Sequence, residues 1–198
     1  MDTPNSSEVF FDRDKLRQLI VHNDAVPPVD SETVSVLLMD CARSSGPKSD
    51  ETAILAARIK TTEPKTYFIE DVIADRFEIV EIPYQVVKAA QRHTPSHIKI
   101  ERLQNWELLQ AEIIRLAVEW QINLGCLSFF KPSKKKAAKS LRIRNLHALC
   151  EVGAVRFVSG NYVEKLFTQL CNFDFESATN KGRADDVADS ASLLVTHF

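Results

Sequence analysis

The sequence has almost no net charge, no paired cysteines and no long apolar run. Its 25 Lys and Arg residues nearly balance 27 Asp and Glu residues, which gives a formal charge of −2. The chain as a whole therefore does not attract nucleic acid, and any affinity for a polyanion must come from local clustering of basic residues.

The four cysteines are scattered along the sequence, at Cys41, Cys126, Cys150 and Cys171. This spacing predicts neither a zinc site nor a disulfide framework, and it favours a reduced, intracellular setting. No apolar run approaches the roughly 20 residues that a membrane helix needs, and the first residues lack the pattern of a signal peptide. We therefore expect a soluble protein with no membrane partner.

The 198 residues, of which 44% are hydrophobic, have the size and balance of one globular domain with a short appended arm. Residues 1–32 are polar and contain Pro27 and Pro28. They predict a short helix over 14–22 followed by an extended connector. We therefore expect an N-terminal arm at 1–32 and the folded domain at 33–198.

The hydrophobic pattern of the domain changes along the chain. Three β-branched, apolar runs predict three successive antiparallel strands, and the first of them, 33–40, ends at Asp40. Helical spacing then begins at 82–93, and short strands alternate with further helices up to a last helix that opens at Asp185. This order predicts an α/β fold whose mixed sheet has three antiparallel strands, then parallel additions, with flanking helices.

Four acids stand at the ends of predicted elements. Asp40 and Glu101 end strands, and Asp185 and Asp186 open the last helix, so we expect all four at one edge of the sheet. Hydrolysis of a phosphodiester by two metal ions needs several carboxylates around cations about 3.5 to 4 Å apart. Oxygen donors suit Mg²⁺ or Mn²⁺. Each acid taken alone is equally typical of a solvated strand end or a helix cap.

The order of these features resembles the C-terminal nuclease domain of tailed-phage terminase large subunits. Residues 34–59, VSVLLMDCARSSGPKSDETAILAARI, look like that family's first segment, in which Asp40 and Asp50 match two acidic positions. Residues 96–113 are similar to the next block, with Glu101 as its acid. The tail LCNFDFESATNKGRADDVADSASLL, residues 170–194, is the most specific match, with an aspartate pair and Asp189 one turn later.

The resemblance spans nearly the whole chain and implies a ribonuclease-H-like, metal-dependent endonuclease that cuts concatemeric viral DNA with two Mg²⁺ or Mn²⁺ ions. It implies double-stranded DNA, an ATPase motor domain, the terminase small subunit and the portal as partners, in the host cytoplasm. Since no glycine-rich phosphate loop occurs, the motor is expected to lie outside this chain. The implied catalytic metal ligands are Asp40, Glu101, Asp185 and Asp186, with Asp50 and Asp189 in support.

Residues 131–144, KPSKKKAAKSLRIR, contain seven basic residues and no acid. Such a run can neutralise the phosphates of a duplex without reading its sequence, although blocks of like charge are also common on solvated helix faces. The residues predicted to contact DNA are Lys134, Lys135, Lys136, Lys139, Arg142, Arg144 and, beside the aspartate pair, Arg183.

Two other functions agree with the same pattern. A resolvase or transposase of this fold uses a similar acidic cluster on a different DNA architecture, and a non-catalytic DNA-binding or assembly module keeps the fold without the activity. The fold alone does not separate these alternatives.

Overall fold

The computed structural model describes residues 10–42, 51–131, 136–173 and 185–198. Its strands form one mixed sheet in the order β1-β7-β4-β3-β2-β5-β6. The strands are β1 (Ile20–Val21), β2 (Thr33–Asp40), β3 (Thr52–Lys60), β4 (Thr66–Asp75), β5 (His97–Glu101), β6 (Cys126–Phe130) and β7 (Val155–Val158). The helices are α1 (Arg13–Gln18), α2 (Ile82–His93), α3 (Trp106–Glu119), α4 (Lys136–Glu151), α5 (Val163–Cys171) and α6 (Asp186–His197).

The sheet has the predicted mixture of strand directions. Strands β2, β3 and β4 pair antiparallel in sequence order. Strands β5 and β6 then add in parallel beside β2, and β7 adds in parallel beside β4. The predicted α/β fold, with three antiparallel strands and later parallel additions, is confirmed.

Helices cover both faces of the sheet. Side chains alternate between the faces of a strand, and along β2 this places Val36 in one core and Leu37 and Met39 in the other. The core around Val36 is closed by α4, α5 and α6, whereas the core around Leu37 is closed by α2 and α3.

The N-terminal residues are more structured than the sequence predicted. The expected helix over 14–22 ends at Gln18, because Ile20 and Val21 pair with β7 as strand β1. Phe11 and Leu16 are buried in the same core as α5 and α6. The division of the chain at residue 32 stays a prediction.

Helix α4 ends at Glu151, two residues before a glycine. Gly153 adopts a left-handed φ of 69° just beyond the helix, a conformation that glycine takes without steric cost. Its N–H and that of Ala154 bond back to carbonyl groups of the last turn. The chain can thus turn directly into β7.

Within the described ranges, no helix has the length and apolarity needed to cross a membrane.

Candidate metal centre

Asp40 and Glu101 lie side by side at the carboxyl ends of two neighbouring parallel strands. Met39 of β2 is in register with Ile100 of β5, so the next residue of each strand reaches the same edge of the sheet. Because Met39 and Ile100 belong to the core under α2 and α3, alternation turns Asp40 and Glu101 toward α6. The predicted convergence of these two strand ends is observed.

The two carboxyl groups interact directly. Glu101 is only 5% exposed, and its carboxyl group acts on that of Asp40. Asp40 keeps some access to solvent, yet the surrounding protein removes most of its hydration. Burial raises the pKa of Asp40 well above its usual range, and the neighbouring Glu101 raises it further.

Helix α6 begins beside this pair and adds more negative charge. The negative charges of Asp189 and Asp186, in its first turn, also raise the pKa of Asp40, and Asp189 has the larger effect. Asp186 is 9% exposed, and its Oδ2 accepts the backbone N–H of Glu51 at 3.0 Å. This bond ties the start of α6 to the residue that precedes β3. Asp40, Glu101, Asp186 and Asp189 therefore form one electrostatic group.

The two members of the predicted aspartate pair have different surroundings. Asp185 occupies the N-cap position of α6, but its side chain makes no capping hydrogen bond. Its Oδ2 instead lies 2.9 Å from Nζ of Lys139 on α4. Asp186 faces Glu51 and acts on Asp40. The pairing of Asp185 with a lysine distinguishes two acids that the sequence left equivalent.

Helix α4 supplies two cations to the acids of α6. Nζ of Lys139 also lies 3.4 Å from Asp189, and the guanidinium group of Arg142 donates to Oδ1 of Asp189 at 2.6 Å. Desolvation lowers the pKa of Lys139, but the charges of Asp189 and Asp185 outweigh it, and the net pKa is raised. The side chain of Lys139 is 22% exposed and that of Arg142 is 13% exposed.

The other residues of the predicted basic surface are distributed differently. Arg144 is exposed, and its guanidinium group lies 5.4 Å from the ring centroid of Phe10. Thus Lys139 and Arg142 pair with protein carboxylates, whereas Arg144 contacts the segment before α1. The remaining positions lie outside the described residues: Asp50, Lys134, Lys135, Arg183 and the side chain of Lys136.

The sequence reasoning missed residues that hold the first turn of α6. Oε1 of Gln169, on the buried side of α5, accepts the N–H of Ala188 at 2.9 Å. It satisfies one of the amides that a helix leaves unpaired at its start. Ser192 donates to Oδ1 of Asp189 at 3.0 Å. A signal existed for Gln169, since it is polar at a position where the helical period demands an apolar side chain.

The donors of this group suit a hard divalent cation. Carboxylate oxygens from β2, β5 and α6 are the ligands that Mg²⁺ and Mn²⁺ take in proteins. A divalent cation would also offset the repulsion between Asp40 and the acids around it. In the part of the chain that is described, no three His, Cys, Asp or Glu side chains are yet grouped closely enough to hold a metal ion. The chemistry of the residues thus fits a metal, and their side chains must draw together to bind it.

Comparison with known proteins supports the architecture. Residues 37–198 match the family model described as "Terminase RNaseH-like domain". The nuclease domain of the large terminase subunit gp2 of bacterial virus Sf6 has a similar structure, with a TM-score of 0.56 and 13% identity over 93% of this chain and 97% of that one. The fold is therefore ribonuclease-H-like. No protein of curated function matches the sequence.

A second similar structure is much longer than this chain. The large terminase of the HK97 bacteriophage aligns with a TM-score of 0.58 and 9% identity, over 96% of this chain. The aligned part is 43% of that protein. At such identities the likeness establishes the fold, and the chain spans less than half of the HK97 protein.

Proposed function

The chain belongs to the terminase ribonuclease-H-like domain family, and from this premise we propose that it is a metal-dependent endonuclease for double-stranded viral DNA. The observation that carries the proposal is the meeting of Asp40 and Glu101 with the acidic first turn of α6 at one edge of the sheet. Acids from separate elements converge there, as hydrolysis by two metal ions requires.

The proposed ligands for Mg²⁺ or Mn²⁺ are Asp40, Glu101, Asp186 and Asp189. Bound ions supply a polarised water and neutralise charge on the leaving 3′ oxygen. The protein holds the donors in place: strand pairing sets the spacing of Asp40 and Glu101, and Glu51 orients Asp186. Asp40 interacts with Glu101 of β5 and with Asp186 and Asp189 of α6. We therefore assign it as the ligand that the two metal ions would share.

Asp185, predicted as an equal member of the ligand set, is assigned a different role. Asp189 is also paired with basic side chains, those of Arg142 and Lys139, so pairing alone does not separate the acids. The charges that act on Asp40 are those of Asp186 and Asp189 and do not include Asp185, which is paired with Lys139. We therefore propose Asp186 and Asp189 as direct donors and Asp185 as the acid that positions Lys139. Asp189, predicted only as a supporting residue, becomes a ligand in this proposal.

The partners follow from the same family. We propose that the chain cuts concatemeric DNA during packaging in the host cytoplasm, together with an ATPase motor domain, a terminase small subunit and a portal. Lys139 and Arg142 pair with protein carboxylates, so the other basic residues of 131–144 remain the proposed DNA contacts, with Arg144 as the exposed described example.

A plasmid assay tests the activity. Supercoiled DNA is incubated with Mg²⁺ or Mn²⁺ and wild type, Asp40→Asn, Glu101→Gln or Asp186→Asn, with Asp14→Asn, an exposed acid of α1, as the control. We expect metal-dependent nicking and linearisation, reduced at least about 100-fold in the three site variants and unchanged in the control. A folded wild type that binds metal yet never cuts DNA would support the non-catalytic assembly module instead.

The ligand assignment needs a separate measurement. Mn²⁺ affinity is compared for Asp185→Asn, Asp186→Asn and Asp189→Asn by isothermal titration calorimetry. Loss of a direct donor is expected to weaken binding about tenfold or more in the last two variants. Asp185→Asn is expected to change the affinity less than about threefold. A large loss confined to Asp185→Asn would reverse the assignment.

A further inference from the structure

Lys139 touches the acidic group at two points. Its ammonium nitrogen is 2.9 Å from Asp185 and 3.4 Å from Asp189, and the negative charge of Asp40 also acts on it. It reaches this position from α4, which packs against α6. A single positive charge thus lies among acids of α6 and within electrostatic range of the strand-end acid.

The charges of this group are not balanced. Among the described residues, the acids outnumber the two α4 cations, Lys139 and Arg142, that pair with them. Arg142 donates to Asp189 from a more buried position. The acids of the group are Asp40, Glu101, Asp185, Asp186 and Asp189. Since like charges at this spacing repel, the group needs a cation, and Lys139 supplies part of that charge.

We infer that Lys139 is a built-in counter-cation that competes with a divalent metal for the carboxylates at the start of α6. The inference rests on the proposed metal site and adds a means by which the chain limits its metal affinity. The ammonium group stabilises the acids when the site is empty and repels a dication that approaches them. Both effects reduce the gain on metal binding, so the resting domain holds metal weakly.

A competing role and a structural role for Lys139 predict opposite changes in metal affinity when the lysine is replaced. If Lys139 only held Asp185 and Asp189 in place, its removal would disorder the donors and weaken metal binding. If Lys139 competes with the metal, its removal leaves the acids without that charge and strengthens binding. The direction of the change in affinity therefore separates the two roles.

The experiment measures Mn²⁺ binding by isothermal titration calorimetry to wild type, Lys139→Met and Lys139→Arg. Lys15→Met is the matched control, because Lys15 also pairs with a carboxylate, that of Glu151, but at the far end of α4. That end is about 18 Å away at 1.5 Å per residue. We expect Lys139→Met to bind Mn²⁺ at least about fivefold more tightly, and the other two variants to stay within about twofold of wild type.

A second readout uses thermal unfolding without DNA. In EDTA, Lys139→Met is expected to unfold at a lower temperature than wild type, and saturating Mn²⁺ is expected to raise its midpoint by more than it raises that of wild type. Lys139→Gln, which keeps a polar side chain, replaces Lys139→Met if the latter fails to fold.

The outcomes separate this inference from the proposed function. If wild type binds Mn²⁺ and neither Lys139→Met nor Lys139→Gln binds it more tightly, the competition is overturned and the proposed metal site is retained. Folded wild type and variants that all fail to bind Mn²⁺ overturn both. Tighter binding by Lys139→Met, with Lys139→Arg and Lys15→Met unchanged, supports the inference.

Discussion

Asp40 and Glu101 end the neighbouring parallel strands β2 and β5, one residue beyond the registered pair of Met39 and Ile100, and Glu101 raises the pKa of Asp40. Neighbouring carboxyl groups disfavour each other's ionised form, and a bound cation would offset this effect. The domain therefore keeps an arrangement at its site that is unfavourable until a cation arrives, as sites selected for function commonly do.

Replacing Asp40 with asparagine is expected to stabilise the metal-free domain. The amide removes an acid whose ionised form is disfavoured by burial and by neighbouring acids, so we expect the free energy of unfolding in EDTA at pH 7 to rise by about 1 kcal/mol. Urea denaturation provides the measurement, with Asp14→Asn as the control. A lower stability of Asp40→Asn would mean that the ionised carboxylate makes favourable contacts in the empty site.

Arg142→Ala is expected to destabilise the domain by about 2 to 4 kcal/mol. Arg142 is bonded to Asp189 where both side chains are mostly buried, 13% and 15% exposed, and its loss leaves an acid with less compensation. Arg115, exposed on α3 between Glu112 and Glu119, is the matched control, and its replacement is expected to change little. Equal losses of stability for the two arginines in urea would contradict the burial argument.

Gln169→Ala is expected to loosen the first turn of α6. The N–H of Ala188 loses its acceptor, which costs about 1 to 2 kcal/mol of stability. Hydrogen exchange provides a local readout, in which the amide of Ala188 exchanges faster than in wild type. Gln169→Glu, which keeps an oxygen acceptor, is expected to retain protection. Unchanged exchange in Gln169→Ala would show that another group, or water, satisfies this amide.

Asp71 is expected to support stability at mildly acidic pH. Polar contact with His93 lowers the pKa of Asp71, and the charges of His93 and Arg92 add to this effect against desolvation. A carboxyl whose folded pKa lies below its unfolded value of 3.8 stabilises the fold above that value. The contribution is lost as the pH falls through the lower folded pKa.

The matching variant is Asp71→Asn. At pH 6 it is expected to lower the free energy of unfolding by about 0.5 to 1 kcal/mol, and the difference from wild type is expected to shrink between pH 4 and pH 2. Urea denaturation across this range measures both, with Asp14→Asn as the control. A difference that stays constant down to pH 2 would show that the ionisation of Asp71 is not its cause.

The fold was predictable because its signals are local. β-branched, apolar runs of strand length predicted β2, β3 and β4 in order, and Asp40 and Glu101 followed as strand ends. The short strand β1 was missed because Ile20 and Val21 are strand only through their pairing with β7, far along the chain. Two residues carry too little pattern to outweigh a helical segment beside them.

The sequence by itself determined the succession of β2 to β6 along the chain and the identity of the strand-end acids, because apolar runs of strand length and helical periods are properties of single segments. Only the tertiary structure decided that Lys139 and Arg142 turn toward Asp185 and Asp189. That choice depends on how α4 packs against α6, and a run of basic residues has no pattern that says which of them will meet an acid from another helix.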